Sequence, residues 1–523
     1  MKLRHLLFGL LAGVAFVACT NDDDPAGVTP ADGNKVASAD MFMAVNLKMP
    51  SGAATRAEVQ TTEETAVNKV TFLFFKGDEQ VAEPFPITLT NGKGTDAIGE
   101  EWTPGNGSPK APVIVLHNPT DYPTSLVVLI NYTPETAITK SVKLSTLQAT
   151  VADFSATTNG FVMSNSVYND AAGSNVIGAP VTSANIKNTP GEAKKAPVKV
   201  YVERVLAKVS VNAKNATAET GVANITINPA ESKWGLVYEN TQSYLIKNLN
   251  KTYSYDWTWN DPTNHRSYWA EAAPFTAGDG TAYKDYIALE TEDGEPNVLY
   301  TQENTAYQSW TPKSATNPTA VIVAATLRYT DPTVEGATAE AVDLFKYYGA
   351  IYPAKGIKNI LYNNSTPKYY KKDGNNLVGL VPDDFELVID AEQGESYEAK
   401  VHLKLAPSVT TVYTSLEDQG TTAATANDEL AKTPEILEYW KEGATYFYVP
   451  IKQHDDADNT KDVYGIVRNH FYQLTITKIK GLGTAVPNPA DVIIPETPED
   501  GNYYIAGEMN ILDWASVEQN VEF

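Results

Sequence analysis

The 523-residue sequence predicts an all-β protein, most economically two β-sandwich domains with a few short helices, and three observations carry that expectation. Short runs of β-branched and aromatic residues recur along the chain. With 29 Tyr, 31 Pro and 33 Gly, the composition favours strands joined by long, turn-rich loops. The length exceeds the ~250–300 residues at which a single core stops growing, so at least two cores are expected. Hydrophobic content of 42 % against 20 % charged residues separates it from disordered acidic chains.

In chain order, Lys2 and Arg4 followed by the apolar run Leu6 to Val17 read as a secretory signal. The run ends at Phe16-Val17-Ala18-Cys19, which resembles a bacterial lipobox with Cys19 as the acylated residue. Asp22-Asp23-Asp24 follows, readable as a solvated tether or as an export tag of surface lipoproteins. Met41, Met43, Val45, Leu47 and Met49 then recur at period two, a half-buried strand that stops at the small-residue loop 50–57. Further strands are expected at Val70–Phe75, Val113–Leu116, Leu126–Tyr132 and Val198–Val211, with a short helix over Thr146–Phe154. The polar stretch Asn212–Gly221 marks the expected domain boundary.

The second half predicts strands near Ile225–Ile227, Val321–Tyr329, Leu387–Ile389, Val401–Leu405, Tyr446–Ile451 and Phe471–Ile479. Thr433, Pro434, Glu435 and Gly443 together carry the signals of a capped helix. Val486 to Asp500 is Pro-rich and acidic, the composition of an extended spacer. Beyond it Ala515, Val517, Gln519, Val521 and Phe523 alternate with polar residues, a terminal strand with no evident place in its own domain. The expected layout is therefore 1–19 lipoprotein signal, 20–56 linker and first strand, 57–215 and 216–485 two sandwiches, and 486–523 spacer and terminal strand.

Signals of chemistry are sparse. The net charge of -24 argues against sequence-independent nucleic-acid binding, which needs Lys and Arg to neutralise phosphates. A single cysteine leaves no intramolecular disulfide and no thiolate zinc site. The six histidines have no metal-ligand spacing, and neither a nucleophile elbow nor a phosphate-binding glycine loop is present, so no enzyme activity and no cofactor are expected. His454–Asp462 alternates acids like a calcium loop but lacks the turn glycine and the final Glu, and reads as a hairpin tip. Tyr253, Tyr255, Trp257 and Trp259 form an aromatic stripe, either a core-facing strand or an exposed platform for sugar rings.

The two terminal strands invite a single explanation. If the loop at Arg56 is cut and Met41–Met49 leaves, an apolar lane with unpaired backbone opens, and another copy's C-terminal strand can fill it. Such a head-to-tail contact does not close, so it builds filaments. Of the six arginines, Arg204 and Arg328 fall in expected strands, whereas Arg56 lies in an open loop.

The chain resembles the fimbrillins of Bacteroidetes type V pili, most of all the Mfa-type shaft subunits. The resemblance is carried by Cys19 in its lipobox, Met41–Ala57, Val200–Val211, Gly465–Gly483 with Val467-Arg468-Asn469-His470, and the terminal Asp513-Trp514 to Phe523. It implies transthyretin-like sandwich domains and export as an outer-membrane lipoprotein. It further implies cleavage between Arg56 and Ala57 by an Arg-specific protease, and polymerisation with Ala515–Phe523 as donor strand. The implied partners are other copies of the chain, anchor and tip subunits, the protease, and a surface ligand if the chain is adhesive. The implied location is the cell-surface fimbria, with the membrane touched only through the precursor's lipid. Two other readings remain: a tip or accessory adhesin of such a pilus, or a monomeric glycan-binding surface lipoprotein.

Overall fold

The computed structural model describes residues 40–49, 62–105, 111–117, 121–134, 136–155, 160–169, 174–249, 270–290, 296–307, 318–391, 397–454, 463–495 and 504–513. Strands dominate. The first sheet system contains β1 (Met41–Lys48), β2 (Lys69–Lys76), β3 (Val113–Leu116), β4 (Ser125–Ile130), β5 (Met163–Asn165), β6 (Ile186–Lys187) and β7 (Val198–Arg204). Phe72, Phe74, Val128, Ile130, Val200 and Val202 meet in one core, as the apolar runs of β2, β4 and β7 require.

The chain passes to a second sheet system between Arg204 and Leu206, ahead of the polar stretch Asn212–Gly221 where the sequence placed the boundary. One long β signal, Val198–Val211, is thus two strands. β7 stays with the first core, and β8 (Leu206–Asn212) pairs antiparallel with β9 (Val298–Gln302) in the second. Opposite them lies a sheet centred on β10 (Ala320–Tyr329), paired with β11 (Ala444–Pro450). Val209, Val211, Trp234, Val321, Val323 and Phe447 pack in the core of this sandwich.

Between β10 and β11 the chain makes an excursion that the sequence reading folded into a single sandwich. Its five-stranded sheet packs with the helices Ala354–Asn364 and Ala423–Leu430 around Phe345, Ile357, Val401 and Leu437. The expected helix at Thr433–Gly443 is instead the strand Glu435–Trp440 followed by a tight 3-10 turn, Lys441–Gly443. Leu437 and Tyr439 face that core at period two, and tertiary packing overrides the capping signals of Thr433 and Pro434. The expected helix at Thr146–Phe154 is shorter, Leu144–Gln148, and Val151–Ala152 pairs as a strand with Ser243–Tyr244.

β12 (His470–Lys480) runs parallel to β8, and its other edge carries β13 (Tyr504–Asp513) in antiparallel register. The segment expected to be a free spacer lies against the body over its first part. Lys441 N donates to Val486 O at 3.3 Å, Tyr283 N to Asp491 O at 3.0 Å and the Tyr238 hydroxyl to Pro495 O at 3.1 Å.

Candidate assembly site

β1 is woven into the first core from both sides. Its first half pairs antiparallel with β3, Met41 opposite Leu116 and Ala44 opposite Val113, while Phe42 and Met43 also pair with β6. Its second half turns to the other sheet and runs parallel to β7, Val45 opposite Val198 and Leu47 opposite Val200. Met43, Val45, Leu47 and Met49 point into the core, as their period predicts, with Met43 and Val45 wholly enclosed. Met41 is only partly covered. Ala44 is also enclosed, because Val113 and Ala193 cover its face, so the strand is more deeply set than a half-buried one. Burying each large apolar side chain here is worth ~1.5–3 kcal/mol. Removing β1 would leave the ladder edges of β3, β6 and β7 without their partner, a row of backbone groups that a replacement strand can satisfy.

At the opposite end of β7 the two sheet systems meet through buried charge. Arg468 and Glu303 form an ion pair of 2.9 Å with both side chains fully enclosed, and Arg468 also donates to Tyr244 O at 2.8 Å. Lys247 and Glu203 form a second enclosed pair at 2.9 Å, and Lys208 and Glu64 a third. Asn469, in a left-handed conformation at φ 60°, accepts from Arg204 N at 3.1 Å and donates its own N–H to Leu206 O at 2.8 Å. The stretch Val467-Arg468-Asn469-His470, singled out in the sequence, thus ties the turn between β7 and β8 to Glu303, the residue after β9.

Burial pushes the Glu203 carboxyl up to about 7, against the pull of Lys247 and Arg468. Burial also depresses His470 to about 4, although its Nδ1–H donates to Arg468 O at 2.9 Å. A buried pair broken on one side leaves an uncompensated charge. Arg468→Ala is therefore expected to destabilise the chain by ~3–5 kcal/mol, read as a lower urea midpoint.

His470 gives a pH signature. It stays neutral in the fold down to about 4, whereas in the unfolded chain it protonates near its ordinary value of 6.5. Between these values the unfolded chain binds more protons, so this contribution to stability is lost as pH falls. Glu203 works in the opposite sense over its own range, so the two are separated by comparison with His470→Gln. The stability difference between the native chain and that variant should shrink by up to about 3 kcal/mol from pH 7 to pH 4.

The other sequence-derived positions fall outside the described residues: Cys19, Arg56, Ala57, the aromatic residues Tyr253, Tyr255, Trp257 and Trp259, and the terminal Ala515, Val517, Gln519, Val521 and Phe523. The hairpin arms around 454–462 are in place, Lys452–His454 pairing with Val463–Ile466. Among the described residues no cluster of His, Cys, Asp or Glu is suited to a metal ion, and no helix is long and apolar enough to cross a membrane. The junction charges were missed by sequence reasoning. Their signal was Glu203, Arg204 and Lys208 inside a run of apolar strand residues, where a solvated charge has no place.

Two families match, one at each end of the chain. Residues 39–204 match the major fimbrial subunit protein FimA, and residues 438–520 match the C-terminal part of fimbrillin, described as major fimbrial subunit protein type IV. The first match begins at β1 and ends at the last residue of β7, and the second includes β11, β12 and β13. The chain is a β-sandwich fimbrial protein. Over those two segments it is similar to the fimbrillins, the major fimbrial subunits.

No curated protein matches the sequence significantly. Among solved structures, a fimbrilin, FimA, from Porphyromonas gingivalis is 14 % identical and aligns over 92 % of this chain and 99 % of its own, with a TM-score of 0.39. The tip fimbrial protein Mfa3 from the same species is 14 % identical over 91 % of this chain and 100 % of its own, TM-score 0.33. A fimbrial assembly protein from Parabacteroides distasonis is 13 % identical over 74 % of this chain and 99 % of its own, TM-score 0.27.

Proposed function

We propose that the chain is a shaft subunit of a cell-surface fimbria, exported as a lipoprotein acylated at Cys19, cut between Arg56 and Ala57, and polymerised by strand exchange. The observation that carries this reading is β1: a strand embedded in the core, paired to β3, β6 and β7, and joined to β2 through the stretch that holds Arg56. A strand that is both central and preceded by a dispensable leader is suited to replacement. Three of the other five arginines support the choice of site. Arg204 and Arg468 are enclosed, and Arg328 lies inside β10, ion-paired to Glu231 at 2.8 Å. A protease needs an extended, accessible chain, which these three positions do not offer.

The donor is the alternating tail Ala515–Phe523, which follows directly on β13. Val517, Val521 and Phe523 restore apolar burial at ~1.5–3 kcal/mol each, and every ladder hydrogen bond adds ~0.5–1.5 kcal/mol. A chain equipped both to accept and to donate suits a repeating shaft better than a terminal subunit. Anchor and tip subunits would then close the two ends of the filament. Electron microscopy of the purified chain, with and without limited Arg-specific proteolysis, tests the proposal. Filaments should appear only after the cut, with Ala57 as the new N-terminus.

A further inference from the structure

Of the three enclosed ion pairs at the junction, one contains a residue close to the proposed cut. Glu64 sits in a short helical turn, Thr62–Thr65, between the proposed cut and β2, and it is completely enclosed. Its Oε1 accepts from Lys208 Nζ at 2.9 Å and from the Tyr300 hydroxyl at 2.5 Å. Its backbone carbonyl accepts from Arg204 Nη2 at 2.7 Å. Lys208 and Tyr300 stand directly opposite each other on β8 and β9, so Glu64 reaches from the lead-in of the first core onto a rung of the second. The Tyr300 ring in turn packs on Phe161 of the first core, centroids 4.7 Å apart.

The residues that follow are fastened too. Ala66 O accepts from Asn131 Nδ2 at 2.9 Å, and Asn68 N donates to Asn131 Oδ1 at 2.8 Å. Gly160, at φ 85°, lies so close to the Ala66 carbonyl that a Cβ there would stand 2.5 Å from its oxygen. Among the described residues, the chain after β1 is therefore held from Glu64 to the start of β2.

A buried ion pair is a poor source of stability, since apolar residues of similar volume do as well or better, and its better-attested use is to fix one arrangement against others. Here that arrangement is the place where the chain stops being releasable. We propose that Glu64 is the anchor that retains the newly cut N-terminus when β1 leaves: a positioning residue for assembly that separates the segment to be lost from the segment to be kept. With the anchor, the cut frees β1 and leaves β2 and the junction unchanged, so the lane opens without loosening its walls. Without it, β2 begins at a frayed end, and loss of β1 spreads into the acceptor core. The inference rests on the reading that β1 is released.

The test is hydrogen exchange over residues 62–76 in cut and uncut chains, native and Glu64→Gln. A recognition sequence for an unrelated endoprotease, placed within residues 51–56, gives the cut whatever the natural processing. Failure of Arg56 cleavage and failure of the anchor are then read separately. The native chain should exchange at the same rate before and after cutting. Glu64→Gln, which leaves Lys208 without its carboxylate, should exchange faster than native already while uncut, and at least about tenfold faster again once β1 has gone. Tyr300→Phe, which removes one donor to the carboxylate and keeps the ring, should shift the cut chain in the same direction by less, and it serves if Glu64→Gln does not fold. Equal exchange in the cut native and variant chains would overturn the proposal. So would acceleration of the same size before and after the cut, which marks a merely structural tie.

Discussion

An Arg56→Ala chain is expected to fold, keep β1 in its core, and form no filaments under conditions in which the native chain polymerises. The reason is competition. While β1 remains covalently attached it is presented to its lane at an effective concentration on the order of millimolar, which a donor on another subunit at micromolar concentration does not match. β1 also fits the lane through Met43, Val45, Leu47 and Met49, so its dissociation in the uncut chain is rare and brief. Size-exclusion chromatography should give a monomer, and electron microscopy no filaments, with or without Arg-specific protease. Filaments from that variant would refute cleavage as the trigger.

Deleting residues 514–523 is expected to block assembly from the other side. β13 ends at Asp513, opposite His470, so the deletion leaves its pairing with β12 complete and the melting temperature should be unchanged. What disappears is the apolar face Ala515, Val517, Val521 and Phe523 together with about one ladder hydrogen bond for every second residue along each edge. The truncated chain still accepts a donor. Mixed with the native chain after cutting, it should terminate growth, so mean filament length falls as its share rises. A drop in melting temperature on truncation would show that the tail belongs to its own subunit's fold.

How much of this was legible in the sequence depends on whether local pattern or remote packing decided the outcome. β1 was readable because five apolar residues at period two leave one face only. β2 and β4 were readable because continuous apolar runs have no other home, and β12 because its apolar and polar residues alternate. The excursion between β10 and β11 was not. Its strands alternate like those of any sheet, and only the pairing of β10 with β11 reveals that the chain leaves and returns to adjacent places. Glu435–Trp440 was misread because Pro434 and Gly443 bracket a strand as readily as a helix.

At the site, Val467-Arg468-Asn469-His470 was visible as a distinctive stretch, but its work was hidden. Glu303, Tyr244 and Arg204 come to it from far along the chain, and nothing local announces them. Glu64 was overlooked for the same reason: in sequence it is one of many acids, and only its enclosure by Lys208, Tyr300 and Arg204 sets it apart.

The central claim is that a neighbour's tail takes the lane vacated by β1, and disulfide trapping tests it most directly. The lone cysteine, Cys19, precedes the proposed cut and is replaced by Ala in the uncut control, so introduced cysteines report without interference. Lys199 is exposed on β7 and pairs with the outward residue Asn46 of β1. In a replacement that sets Gln519 in the place of Val45, Asn520 comes to that position if the donor runs in the direction of β1, and Glu518 if it runs the other way. Lys199→Cys combined in turn with cysteine at Ser516, Glu518, Asn520 and Glu522 covers neighbouring registers in both directions. The account predicts a covalent ladder of subunits from assembled filaments for one of these pairs, and none from uncut monomers. Filaments that form but yield no ladder with any of the four would contradict it.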